Sequence, residues 1–249
     1  MIETNIIVMK FGGTSVATKE ARDRVARHIL REVESGFKVL VVVSAMGRLG
    51  APYATDTLND LTSPALSPCE RDRLLSCGEV ISSIVTSDVA RAHGISVMSL
   101  APYELGIITD HHHGDARILK VNEQVLLEKF SRYDVLIAPG FIGMSQDFKL
   151  TTLGRGGSDT SAIALGAALD ADYVDIYSDV PGVMSADPKS DKNAQLLCEL
   201  NYDKLVDLAE AGAKVISPQA AMLAKDKGVV LRFRSTFKET VGTVVKNDD

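Results

Sequence analysis

Lys10 closes an apolar run, Ile6 to Met9, and is followed at once by Phe11, Gly12, Gly13, Thr14 and Ser15. Two readings fit that order. A lysine at the end of a strand can lay its methylenes along apolar surface and leave its ammonium in water, with Gly-Gly as turn punctuation. Alternatively, the bare N–H groups of Gly12 and Gly13 open toward an anion. The next helix then aims its N-terminus at that anion, and Lys10 supplies a full positive charge. The segment alone does not decide between them.

A second glycine cluster, TTLGRGGSDTSAIALGAALDA, places Arg155 between Gly154 and the pair Gly156-Gly157, ahead of Ser158, Asp159 and an Ala-rich stretch. Ser158 or Asp159 can cap the helix that follows. Capping leaves the arginine unexplained. A guanidinium fork with bare backbone on both sides can grip a carboxylate or phosphate bidentately without steric obstruction. Neither cluster is a Walker loop, because Lys10 precedes its glycines. Neither matches G-x-G-x-x-G, which removes support for a dinucleotide-binding Rossmann fold.

The elements that must position these groups alternate along the chain. IIVM, KVLVVVSAMG, ISVMSL, DVLIAPGF, YVDIYSDV and VVLRFRST read as strands, several of them continuous aliphatic runs of the kind buried on both faces. Helical patterns lie between them: KEARDRVARHILREVESG, a long region from about Pro68 to Ala92, VNEQVLLEKFSRY, TSAIALGAALDA, and two helices meeting near Gly212. Strand–helix–strand repetition implies an α/β fold, a mostly parallel central sheet with helices on both faces. Ligands then sit beyond the carboxyl ends of the strands, where Lys10, Ser44, Gly140 and Asp179 each follow an apolar run.

Composition narrows the function classes. The 249 residues are 45% hydrophobic and 24% charged, which argues for a packed core over disorder. A net charge of −6 and no basic stripe with interleaved aromatics argue against nucleic acid as a partner. No apolar run reaches bilayer length, and the N-terminus lacks a signal-peptide pattern, so a cytoplasmic location without a membrane partner is expected. Cys69, Cys77 and Cys198 are read as free thiols. His111 to His113, without companion ligands, reads as a solvated loop ahead of a metal site.

KFGGTSV, VVVSAMG, ATDTL, SCGE, GFIG, TTLGRGGSDTSA, SDVPGVMSADP and EAGAKVISP occur in this order from Lys10 to Pro218, and VVLRFRSTF extends the run. Together they resemble the catalytic domain of aspartate kinases, within the amino-acid kinase superfamily. The resemblance implies a three-layer αβα sandwich and a single catalytic domain over 1–249. An N-lobe of about 1–148 would bind the amino acid and a C-lobe of about 149–249 the nucleotide. It further implies ATP-dependent phosphorylation of the side-chain carboxylate of L-aspartate, the entry to lysine, threonine and methionine, with Mg²⁺ and in a homodimer.

The residue types suit that chemistry. An Asp side chain titrates near about pH 4, so the nucleophile needs no general base. Two anions must instead be brought together and the transferring phosphoryl group stabilised. Lys10 and Lys214 are the candidate phosphate cations, beside Phe11 and the N–H groups of Gly12 and Gly13. By similarity, Asp159 orients the lysines or helps hold the metal-bound phosphates; no dedicated metal-ligand set is read from the sequence. The family pattern puts Arg155 on a substrate carboxylate and Glu79 on its ammonium, with Ser44, Thr55, Gly156, Gly157 and Ser158 completing the amino-acid side. Ser178, Asp179, Gly182, Met184 and Asp187-Pro188-Lys189 would wall the adenine and ribose.

Some positions depart from the pattern: Ser178 for Thr, Lys189 for Arg, Ser217 for His, and Met184 where an aromatic often stands. Replacing a guanidinium fork by the point charge of Lys189 is expected to weaken ATP binding. The regulatory modules that commonly follow this domain are not in the 249 residues; the sequence is either a free-standing kinase domain or a piece of a longer chain, and only in the first case is feedback inhibition by lysine or threonine not expected. Two alternatives stand beside this reading: a kinase for another small acid, and a non-catalytic nucleotide-sensing or partner subunit.

Overall fold

The computed structural model describes residues 5–185, 193–213, 215–239 and 242–247. The strands run β1 (Ile6–Phe11), β2 (Lys38–Val43), β3 (Val97–Ser99), β4 (Ile107–Thr109), β5 (Ile118–Val121), β6 (Val135–Pro139), β7 (Ile142–Ser145), β8 (Leu150–Thr152), β9 (Val174–Ser178), β10 (Glu199–Leu200), β11 (Leu231–Ser235) and β12 (Thr243–Val245). The helices are α1 (Lys19–Glu34), α2 (Thr55–Asn59), α3 (Pro68–Ala92), α4 (Gln124–Phe130), α5 (Gly157–Ala168), α6 (Tyr202–Glu210) and α7 (Pro218–Lys227).

An eight-stranded sheet carries the order β10-β12-β11-β9-β1-β2-β6-β3. Every neighbouring pair in it is parallel except β11 with β12. Alternation along the central strands feeds two apolar layers. Val8, Leu40, Val42 and Leu136 pack with Ile163 and Leu165 of α5 and with the alanines of α7. Ile7, Met9, Val39 and Val41 pack on the opposite face with Val25 and Ile29 of α1 and Ala90 of α3. The result is the expected three-layer α/β/α arrangement. Each fully buried aliphatic side chain contributes about 1.5–3 kcal/mol, so the strand ends are held by a dry, rigid core.

A second, four-stranded sheet, β5-β4-β7-β8, was not foreseen. Its strands are three or four residues long, too short for an alternation signal. β5 also claims the start of the helix expected over 121–133, which shrinks to Gln124–Phe130. Both sheets take strands from either side of residue 148. No described helix is long and apolar enough to cross a membrane.

Candidate active site

Strands β9, β1, β2 and β6 are adjacent and parallel, so their carboxyl ends share one edge. Lys10 lies there at the end of β1, on the face of Ile6 and Val8 that α5 covers. Asp159, in the first turn of α5, meets it: Oδ1 lies 2.6 Å from Lys10 Nζ, and both side chains are about nine-tenths enclosed, at 12% and 11% exposed. Enclosed charges of this kind persist only when paired or engaged by a ligand.

Two expectations at this turn are corrected. The Phe11 side chain does not share the face of Lys10. Strand alternation turns it to the opposite face from Lys10, where it is fully buried and stacks on Tyr177 at 4.6 Å between ring centroids. The Gly12 N–H is not available to an anion either, because it donates to Tyr177 O at 3.3 Å as a continuation of the β1–β9 ladder. The free donors sit one step further on. A single 3₁₀ turn, Gly13–Ser15, begins there, and no described residue accepts from Gly13 N or Thr14 N.

Helix α3 supplies the other wall. Ser67 caps it by accepting from Glu70 N, and Pro68 opens the first turn. Asp72, Leu75 and Glu79 fall on one face at i, i+3 and i+7, all lining the same cavity. Glu79 is 2% exposed. Its Oε1 accepts from Ala45 N at 3.1 Å and from Thr55 Oγ1 at 3.4 Å, while Oε2 is buried with no described partner. Burial pushes its carboxyl up to about 8, against the smaller opposing effect of those hydrogen bonds. A half-satisfied buried carboxylate aimed into a cavity is a receptor for a cation.

Gly78 makes that placement possible. A Cβ there would stand 2.6 Å from Tyr53 O and 3.0 Å from Ala45 Cβ, so bare backbone lets the 45–53 loop close on α3. The glycine serves this packing, not direct approach to a ligand. Gly78→Ala is expected to cost about 1–3 kcal/mol by overpacking, read as a lower urea midpoint at unchanged m-value.

Arg155 is exposed, between Gly154 and Gly156, both at positive φ (72° and 80°). Gly156 itself is the N-cap of α5, in the left-handed region and without a side-chain cap, so neither Ser158 nor Asp159 caps the helix. Ser158 instead accepts from Ser44 Oγ at 3.1 Å, joining the end of β2 to α5. Lys10, Ser44, Thr55, Glu79, Arg155 and Asp159 all line one cavity of about 480 Å³. Gly156, Gly157 and Ser158 form its floor with them.

Sequence reasoning missed other lining residues. Arg71 faces the cavity while its guanidinium donates to Asn59 Oδ1 (2.7 Å) and Ser63 O (3.1 Å), pinning the α2 region. Asp72 lines it as well. The three histidines are not simply a solvated loop: His111 and His112 are exposed, but His113 Nδ1 lies 2.7 Å from the buried Oδ2 of Asp72. Only the period of α3 hinted at Asp72, seven residues before Glu79.

On the expected nucleotide side, Ser178 ends β9 at the shared edge and Asp179 follows it, paired with Arg48 at 3.0 Å. Met184 forms an isolated bridge with Leu196. None of these lines the cavity. Ser217 accepts from Ala220 N and caps α7, which gives that departure a structural role. Lys189, Lys214, Asp187 and Pro188 lie outside the described residues.

Chemically, the cavity offers a cation receptor (Glu79) and anion grips (Arg155, Lys10), while the turn that follows β1 carries two N–H donors with no described acceptor. That set suits a zwitterion with an extra carboxylate beside a polyanion. Comparison with known proteins gives the chain a family. The model of the amino acid kinase family matches residues 5–235. The chain is 46% identical to aspartokinase 1 of Bacillus subtilis (strain 168) over 243 residues, 96% of this chain and 60% of that protein. It superposes on the aspartate kinase of Synechocystis with a TM-score of 0.85 at 39% identity, covering 98% of this chain and 40% of that one. E. coli aspartokinase III in complex with aspartate and ADP gives 0.85 at 26% identity, covering 98% and 65%. The chain thus spans about three-fifths of the length of the curated relatives it matches.

Proposed function

Because the chain belongs to the amino acid kinase family, we propose that it transfers the γ-phosphoryl group of ATP to the side-chain carboxylate of L-aspartate. The observation that carries this is the unpartnered Glu79 Oε2 in the same cavity as Arg155 and the Lys10–Asp159 pair. An α-ammonium completes the Glu79 carboxylate, and Thr55 and Ala45 N hold its other oxygen in place. Arg155 takes the α-carboxylate. The side-chain carboxylate is then left facing Lys10.

The step balances without a base. A carboxylate oxygen attacks the γ-phosphorus, the bond to the ADP oxygen breaks, and the products are an acyl phosphate and ADP. Lys10 and the N–H groups of Gly13 and Thr14 stabilise the phosphoryl charge, with Lys214 as a further cation. Asp159 holds the Lys10 ammonium in line. The donor set fits a triphosphate. An Mg²⁺ arriving on the nucleotide would take Asp159 as its protein carboxylate. An Mg²⁺ held there would neutralise phosphate charge. Ser178, Asp179, Met184 and Lys189 are assigned to the base and ribose, and the working unit is taken as a cytoplasmic homodimer.

Hydroxylamine traps an acyl phosphate as a hydroxamate, so ATP, Mg²⁺, L-aspartate and hydroxylamine should yield one. Arg155→Ala is expected to raise the KM for aspartate on the order of 100-fold while that for ATP changes little. Hydroxamate formed from another acid in preference to aspartate rejects the substrate. Unchanged aspartate saturation in the arginine variant rejects the clamp.

A further inference from the structure

The HHH motif remains outside the chemistry just described, yet one of its members reaches the cavity wall. Asp72 is 1% exposed and accepts four hydrogen bonds. Its Oδ2 takes His113 Nδ1 (2.7 Å), Gly114 N (3.2 Å) and Thr152 N (3.2 Å), and its Oδ1 takes Thr152 Oγ1 (2.7 Å). All three donors lie outside α3: His113 and Gly114 in the β4–β5 loop, Thr152 at the end of β8. Asp72 therefore anchors two separate segments at one buried point.

Those two segments meet again at Gly154. A Cβ on Gly154 would stand 2.8 Å from Asp115 Oδ1 and 3.2 Å from Gly114 O, so the loop lies directly against the bare backbone beside Arg155. Thr152, tied twice to Asp72, is three residues before Arg155. Arg155 has no described side-chain partner of its own, and glycines flank it on both sides, so its placement depends on what confines that backbone. The confinement comes from Asp72 below, through Thr152, and from Gly114 and Asp115 above. His113 adds a side-chain fastening to that of the Gly114 N–H: as the carboxylate can only accept, Nδ1 carries the hydrogen and the Nδ1–H···Oδ2 contact joins the loop to α3.

We infer that His113, acting through Asp72 and the Gly114–Gly154 contact, is a positioning residue for Arg155 and so for recognition of the acid substrate. The inference deepens the proposed function and rests on it only where it assigns Arg155 to a substrate carboxylate. A side chain that merely stabilised the fold would lower the apparent kcat through the amount of folded protein and leave both KM values unchanged. A positioning residue for Arg155 selects among them.

The test uses two variants of the full chain. Asn places an amide donor where Nδ1 stands, whereas Ala removes the donor. His113→Ala is expected to raise the KM for the acid substrate about tenfold, with kcat and the KM for ATP held within about twofold. In the ligand-free protein the same variant should speed amide exchange across 152–157 and leave the central strands β1 and β2 protected. His113→Asn should restore both readouts. Unchanged exchange across 152–157 in the alanine variant overturns the inference, as does faster exchange there with no change in the KM for the acid. So does a fall in apparent kcat that tracks a lower melting point while both KM values stay unchanged. The exchange readout needs no substrate. If the wild-type chain forms no hydroxamate with aspartate, the proposed activity fails, and exchange in the two variants still decides whether His113 confines the Arg155 segment.

Discussion

Glu79→Gln is expected to abolish useful aspartate binding and, in alkaline buffer, to make the protein more stable. Both effects come from the same buried oxygen. The amide keeps the size of the carboxyl but offers the ammonium no charge. The loss of a charge-assisted contact of about 3 kcal/mol raises the KM for aspartate on the order of 100-fold. The pH dependence follows from the carboxyl being pushed up to about 8 in the ligand-free protein. Below that value the group holds a proton that an incoming ammonium must expel. Wild-type kcat/KM for aspartate should therefore rise about tenfold per pH unit until about pH 8 and then level off, and Glu79→Gln should lack that rise. The stability effect has the opposite sense. Unfolded, the group titrates at its ordinary value of 4.5. Between 4.5 and about 8 the native state keeps a proton that the unfolded chain releases, so native stability falls as pH rises through this window. Glutamine removes that liability. At about pH 9 the variant should melt at least about 5 °C above wild type, and the two should converge near about pH 4.5. Equal melting points at alkaline pH, or a slope retained in the variant, would show that Glu79 ionises freely and is not the ammonium receptor.

Which parts of this site the sequence reveals depends on how local their causes are. Lys10, Arg155 and Asp159 announce themselves because glycines and strand ends mark them, and the structure brings all three to one cavity. The central strands are legible because β1, β2 and β6 are uninterrupted aliphatic runs. Helix α3 is legible from its cap and its length, not from an apolar stripe, since its buried face consists largely of Ser, Thr, Gly and two carboxylates. The position of Phe11 follows from alternation alone and was open to deduction: Ile7, Met9 and Phe11 must share the face that Lys10 does not. Other features have no local signal. The Gly12 N–H is taken by Tyr177, on a strand that joins β1 only in the folded sheet. Asp72 and His113 are 41 residues apart, and nothing near either residue specifies the other. The short strands of the second sheet acquire their state from pairing, not from propensity.

Removing the Lys10 charge separates catalysis from architecture. Lys10 and Asp159 form an enclosed pair at 2.6 Å, so either single replacement strands the other charge away from water. Lys10→Met and Asp159→Asn should each lower stability by about 3–5 kcal/mol, and the double variant, which leaves no unpaired charge, should recover most of that loss. Turnover should not recover with it. The cation proposed to meet the transferring phosphoryl group is missing in the double variant as it is in Lys10→Met, and a loss of about 10³-fold in kcat is expected for both. Aspartate affinity should stay within about fivefold of wild type in Lys10→Met, because in the proposed site Glu79 and Arg155 hold the zwitterion without the lysine. Urea titrations give the stability cycle, and hydroxamate formation at saturating aspartate gives the kinetic one. Should the double variant regain turnover in proportion to its stability, Lys10 would be a structural counter-ion. The phosphoryl charge would then have to be met by the N–H groups of Gly13 and Thr14 and by Lys214 alone.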